Sequence, residues 1–417
     1  MQITTSITAN ITTSQRAEDI PLARRVLAFG FLIVCYAFYS YAWNTVDLLR
    51  PYIRASAGLS LQQAGLLYTS QSLGALIGAL CIGQLADRFG KRKLLFVVTL
   101  GYGLALLAGV WANTFAALAL QRWVLGVFLG GVFSVCVGLY VGWFNAAVRG
   151  RMASLVAVMY TLGFIAQGWL GARLLEHDWK LMLWIGAVPP IVLSLFVFWL
   201  VPDDRKTIAY GGAPATAPLF KLPIVELFQP QYRRTTLMLT LLSGLSFFGY
   251  QAFGGWVSTY LKEVRGLGGE GIGALVAWQG IGGLLGGFAW GWVADRFGRR
   301  WGAIGFIVAA GMIVAYLRAP NDLDLLKGLG FVYGFMISAG VAWGVYFAEL
   351  YPAHLRATAA SIFHWGRIIS FFAPAVTAAV AETAGLTTGM MLAALLYTVA
   401  AAVWLLLPET LNRKASA

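Results

Sequence analysis

Twelve stretches of about twenty mostly apolar residues follow one another along this chain, separated by short polar connections. A bilayer core about 30 Å thick takes roughly 20 apolar residues per helical span. By that measure the spans fall near 26–49, 63–86, 94–112, 116–143, 152–173, 181–201, 236–261, 272–294, 301–317, 326–350, 357–380 and 387–407. The runs are too long and too evenly apolar for barrel strands, which alternate over about ten residues. The expectation is an all-α membrane protein of two six-helix bundles. Only 11% of the residues are charged, against about 25% in soluble proteins, too few to wet a surface of this size.

The net charge of +13 raises nucleic acid as a partner, but the basic residues are scattered through many loops and form no stripe along which a phosphate backbone could run. Instead they alternate by side. With the N-terminus in the cytoplasm, twenty Lys and Arg fall inside and eight outside, with Arg122 and Arg367 within spans. The positive-inside rule then places both termini in the cytoplasm of a bacterial inner membrane. Residues 1–25 are read as a cytoplasmic tail without an apolar signal-peptide core, so the first span is retained. The bundles cover 26–201 and 236–407, a cytoplasmic linker 202–235, and a second tail 408–417. A short amphipathic stretch around Pro223–Phe228 is expected to lie on the membrane surface. Cys35, Cys81 and Cys136 lack metal-ligand spacing and read as core residues.

Ala86-Asp87-Arg88-Phe89-Gly90 recurs letter for letter as Ala294-Asp295-Arg296-Phe297-Gly298, each copy ending the second span of its half. Arg149-Gly150-Arg151 and Arg356-Ala357-Thr358 follow the fourth and tenth spans at a similar offset. Internal repeats of this kind build alternating-access carriers, with the solute site between the halves. Gly83-x-x-x-Asp87-Arg88-x-Gly90-Lys91-Arg92 resembles the signature loop of the major facilitator superfamily. Gly291–Arg300 resembles its second copy, and Glu349-Leu350-Tyr351-Pro352-x-x-x-Arg356 resembles the family motif ending helix 10. The resemblance implies a gating latch of Asp87, Arg88, Gly90, Arg92, Asp295, Arg296, Gly298, Arg299, Glu349 and Arg356. Physically, an Asp at such a boundary can accept from the N–H groups of a helix start, and the Gly permits a tight turn. Gly142 and Asn145 stand where the second half has Glu349 and Pro352, so the first half is expected to lean on Asp87.

An ionisable group in a span costs roughly 2.5–3.5 kcal/mol on insertion scales, so it tends to face the interior and to work. Arg367 lies at mid-depth, with His364 on the same face and Trp365 beside it. A guanidinium without an acid in its own helix needs an anion, and Arg binds carboxylate through two parallel hydrogen bonds. Arg122, followed by Gly126, Gly130 and Gly131, resembles the helix 4 pattern of proton-coupled members. Asp47, three residues before Arg50, and His364 are candidate proton carriers, as is Arg122 by the resemblance. Tyr41, Asn44, Gln167, Gln251, Trp256 and Gln279 are expected to line the cavity, the amides because each must find a partner.

Gly255–Leu261 resembles the helix 7 end of organic-acid and sialic-acid:proton symporters, with Val257 at the usual proline. Gly163-x-x-x-Gln167-Gly168-x-x-Gly171 lacks the proline of drug antiporters, and Tyr41-Ala42-Trp43-Asn44 lacks the paired acids of aromatic-acid symporters. The expected function is proton-coupled uptake of a small organic anion, such as an aromatic carboxylate or sugar acid, by a monomer using no cofactor. Efflux antiport and a transporter-like sensor are the alternatives. No catalytic constellation or intramembrane metal cluster points to an enzyme.

Overall fold

The computed structural model describes residues 15–208, 223–352, 355, 359, 362 and 366–411. The first half comprises α1 (Leu22–Leu48), the short α2 (Arg50–Ala57), α3 (Leu61–Phe89), α4 (Lys91–Ala108), α5 (Phe115–Trp143), α6 (Ala146–Leu174) and α7 (Lys180–Leu200). A short α8 (Pro223–Glu226) precedes the second half. That half comprises α9 (Pro230–Phe253), α10 (Val257–Thr259), α11 (Gly269–Arg296), α12 (Gly302–Arg318), α13 (Leu323–Ile337), α14 (Trp343–Glu349), α15 (Ala373–Ala384) and α16 (Leu386–Leu406). Together they make the twelve-span, two-bundle membrane fold. Eleven spans are long and apolar enough to be recognised on hydropathy alone. The twelfth, α4, is 18 residues long and begins Lys91-Arg92-Lys93, a basic start that lowers its mean hydropathy.

Apolar side chains such as Trp199, Leu195, Phe288 and Leu406 face outward, as lipid allows. Helices pack closely where glycine removes the side chain: a Cβ at Gly126 would stand 2.0 Å from the Gln71 carbonyl of α3. Local signals start the helices. Ser60 and Gln63 exchange the reciprocal bonds of a capping box at α3, and Thr114 caps α5.

Three spans are less regular than their apolar runs suggest. The seventh passes from α9 through a 3-10 turn at Gly254–Trp256 and α10 into a π turn at Tyr260–Val264. The tenth is broken by a 3-10 turn at Ser338–Ala342. In the eleventh, residues 366–370 are helical and a turn at 371–372 precedes α15. The linker is shorter than expected, because α9 begins at Pro230 with its proline in the first turn. Gln15–Arg16 and Thr207–Ile208 form a two-residue parallel ladder, β1 with β2.

The halves meet at the face opposite the termini. Arg54 of α2 bridges Glu263 at 2.6 Å. The Gly269 N–H at the start of α11 donates to Glu176 at 2.9 Å. Gly168 and Gly273 bring α6 and α11 into backbone contact. Thr69 of α3 donates to the Phe371 carbonyl at 2.8 Å, where the eleventh span breaks. At the termini face, Asp87 and Asp295 stand 76% and 75% exposed.

Candidate functional site

Between the halves lies a polar cavity of about 160 Å³, lined by Asn44, Tyr160, Phe164, Tyr250, Gln279 and Ser338. A smaller hollow sharing four of these residues extends it to Asp47 and Ser258. A separate hollow of about 440 Å³ opens at the far rim beside Tyr52, Glu176, His177 and Lys262. It shares no lining residue with the central cavity, which places it outside the seal between the halves.

Asp47, near the end of α1, bonds Arg50 at 2.6 Å, and the Arg50 side chain is wholly buried. The Arg50 guanidinium lies over the Trp256 ring of the opposite half, 4.5 Å from its centroid. Ser258 Oγ donates to the Asp47 carbonyl at 2.5 Å. Gln251 also faces the Asp47 carboxyl, and the missing side chain at Gly255 leaves room for both groups. Arg122, buried in α5, donates to Thr45 Oγ1 at 2.8 Å and contacts Gln71 Oε1 at 3.4 Å. Asp47, Arg122, Gln251 and Trp256 thus share one cluster, and Arg50 joins it. Position in a short loop after a span end marked Arg50 as a topology residue; its spacing of three from Asp47 was the only sign of its role.

Arg367 sits toward the termini side of this cluster, partly exposed, with its guanidinium 4.7 Å from the Phe247 ring centroid. Its charge reaches the phenols of Tyr36, Tyr39, Tyr68 and Tyr160, all in the other half. The described residues include all 17 acids of the chain, and the ion pairs among them do not include Arg367 or Arg122. Asn44 and Gln279 line the cavity, with Asn44 bonded to the Ser40 carbonyl at 2.8 Å. Gln167 is buried behind it, donating to the Tyr41 carbonyl at 3.3 Å. His364 and Trp365 lie outside the described residues.

Tyr41 departs from expectation. Its hydroxyl donates to the Met182 carbonyl of α7 at 3.0 Å, inside its own bundle. At 3.6 residues per turn, position 41 points well away from the face carrying Tyr36, Ser40, Asn44 and Asp47.

The loop motifs also correct a detail. The acids that accept from helix starts are Asp204 and Glu409, not Asp87 and Asp295. Asp204 takes the N–H groups of Lys91 and Arg92 at 2.8 and 3.0 Å. Glu409 takes those of Arg299 and Arg300 at 2.9 and 3.0 Å. Asp87 pairs with Lys91 at 3.2 Å and Asp295 with Arg299 at 2.6 Å, each within its own loop. Arg88 and Arg296 are exposed. Gly90 and Gly298 turn at φ 99° and 123°, a region that side chains avoid. Arg92 reaches Asp203 at 2.8 Å, whereas Arg299 reaches Glu349 at 3.2 Å, so the first half replaces the acid it lacks after α5 with one after α7. Arg356 lies outside the described residues. Burial alone would raise the Glu409 carboxyl, but the N–H groups of Arg300, Arg299, Leu411 and Thr410 hold it below its ordinary value.

Two repeated bundles around a polar inter-bundle cavity define the class of secondary membrane transporters. The family model of the Major Facilitator Superfamily matches residues 32–278 and 267–417, and the chain belongs to that superfamily. It is 28% identical to a gallate transporter of Pseudomonas putida, over 81% of this chain and 80% of that one. A cis,cis-muconate transport protein of Acinetobacter baylyi is 26% identical, covering 81% of this chain and 83% of its own. Among solved structures, a bacterial homologue of the human lysosomal transporter Spinster, inward-facing and unoccupied, superposes with a TM-score of 0.76 at 16% identity. That match covers 93% of this chain and 97% of the other.

Proposed function

We propose that this protein takes up a small organic carboxylate, an aromatic acid by preference, together with protons, by alternating access across a bacterial inner membrane with both termini in the cytoplasm. The observation that carries this is Arg367: a cation between the halves, ringed by phenols, in a chain whose every acid is placed and among whose ion pairs it does not appear. Such a group offers a carboxylate two parallel hydrogen bonds, and the tyrosines beside it offer an aromatic ring a face. A cavity near 160 Å³ is smaller than the roughly 300–1,000 Å³ of sites for drug-sized ligands, which favours a one-ring metabolite over a large amphiphile. Similarity to gallate and muconate transporters supports the same class of cargo. Asp47 is the proposed proton carrier, being the acid that lines the cavity. With the far face sealed, the structure is read as inward-facing, and the exposed Asp87 and Asp295 loops as latches released in this state.

The test is uptake into proteoliposomes carrying the purified protein at the same orientation, with the lumen made alkaline. Gallate, 4-hydroxybenzoate, cis,cis-muconate and nicotinate are compared with the corresponding amides. Accumulation of at least one carboxylate, abolished by a protonophore, is expected. Uptake of none, or equal uptake of acids and amides, would overturn the proposal.

A further inference from the structure

The cavity holds an unbalanced set of charges. Arg50, Arg122 and Arg367 face it or its walls, and Asp47 is the one acid that lines it. The groups turned toward Asp47 from the packed elements are Arg50 of α2, Tyr68 of α3, Arg122 of α5, Tyr160 of α6, and Tyr250 and Gln251 of α9. None of them supplies a second carboxylate. Asp47 is also where the seal between the halves is fastened: Ser258 holds its carbonyl, and its partner Arg50 lies under Trp256. The Arg50 Nε and Nη1 atoms are buried without a hydrogen-bond partner, so this cation depends on the single bond to Asp47.

We infer that the Asp47 carboxylate and the cargo carboxylate serve in turn as the one anion of this cavity, and that the seal on Arg50 and Trp256 forms only when one of them is charged and present. This rests on the proposed carboxylate–proton symport and adds its stoichiometry. Protonation of Asp47 from outside removes the counter-ion and holds the carrier open to that side. A carboxylate arriving on Arg367 restores one negative charge, and the seal closes over both. On the cytoplasmic side the carboxylate leaves and Asp47 releases its proton, so the empty carrier returns with the charge it had when loaded. A proton alone does not cross, because the protonated empty cavity lacks its anion. One proton then accompanies each monocarboxylate, and the cycle is electroneutral.

The experiment uses the full chain in nanodiscs, with its three cysteines replaced and spin labels on Ala55→Cys and Glu270→Cys, exposed positions of opposite halves at the sealed face. Pulsed electron–electron distances are compared for the wild-type background, Asp47→Asn, and Asp47→Asn/Arg50→Gln. The background should populate the short distance without ligand. Empty Asp47→Asn should shift to the long distance, and gallate, 4-hydroxybenzoate or nicotinate should return it to the short one while the amides do not. The double variant, whose net charge equals that of wild type, should regain the short distance unaided, which guards against general loosening of the fold.

In proteoliposomes, Asp47→Asn should exchange the carboxylate at near wild-type rate while losing accumulation by more than tenfold, and wild-type uptake should not respond to a valinomycin-clamped potential. An Asp47→Asn protein that stays sealed when empty, or that opens and is closed by none of the acids, overturns the inference, as does potential-driven uptake. Accumulation of carboxylate by Asp47→Asn under the alkaline lumen would instead refute Asp47 as the proton carrier, a failure of the underlying reading.

Discussion

Replacing Arg367 separates cargo binding from stability, because the structure gives this cation no acid to abandon. Breaking a buried ion pair costs about 3–5 kcal/mol through the charge left behind. Here the loss is confined to the contact with Phe247, worth about 0.5–1 kcal/mol at a partly exposed site. Arg367→Lys and Arg367→Gln should therefore unfold within about 1 kcal/mol of wild type, on that scale for cation–π contacts. Binding should respond far more. Lysine keeps the charge but offers no planar fork, so one of the two parallel bonds is lost. A hydrogen bond to a charged group contributes about 1.5–3 kcal/mol, which is roughly a 10- to 150-fold weaker apparent affinity. Glutamine loses the charge as well and should fall further. Thermal shift of each purified variant against the carboxylate panel, with KM for uptake alongside, measures both quantities. Variants that bind the acid as wild type does would refute the clamp. An empty Arg367→Gln protein destabilised by several kcal/mol would show that the guanidinium neutralises a group of the fold.

Two further outcomes follow from the scaffold. Gly126→Ala would set a methyl 2.0 Å from the Gln71 carbonyl; forcing α3 and α5 apart should cost about 1–3 kcal/mol, read as a lower thermal midpoint in detergent. Glu409→Gln should lower the midpoint at neutral pH. The depressed carboxyl stabilises fully above its unfolded pKa, and that contribution is lost as pH falls through the folded value. The gap between wild type and variant should accordingly shrink toward acid, and a gap that widens there would contradict the assigned bonds.

The architecture was legible because twenty-residue apolar runs and a five-residue repeat are properties of consecutive residues. Arg122, Asp47 and Arg367 were legible for a related reason: charge inside an apolar run costs enough to need a use. What stayed hidden depends on partners distant in the chain. Arg50 reads as an outer loop cation until Trp256, more than two hundred positions on, covers it. Asp204 and Glu409 stand in unremarkable polar turns, and only the fold brings them to the starts of α4 and of the ninth span. The break at Gly254–Trp256 lay in the Gly-Gly pair, but glycine is too frequent in membrane helices to mark a break by itself. Tyr41 was misplaced because aromatic content was weighed without its helical phase.

The interruptions fall unevenly. Each span of the first half is one unbroken α-helix, whereas the seventh, tenth and eleventh all yield in mid-course. Duplication supplied two equal halves, yet suppleness has been concentrated in one of them. The first bundle serves as the anvil and the second as the part that flexes against it. A stiffening substitution at Gly254 or Gly340 should therefore slow the cycle more than its counterpart in the opposite bundle, where there is little bending to suppress.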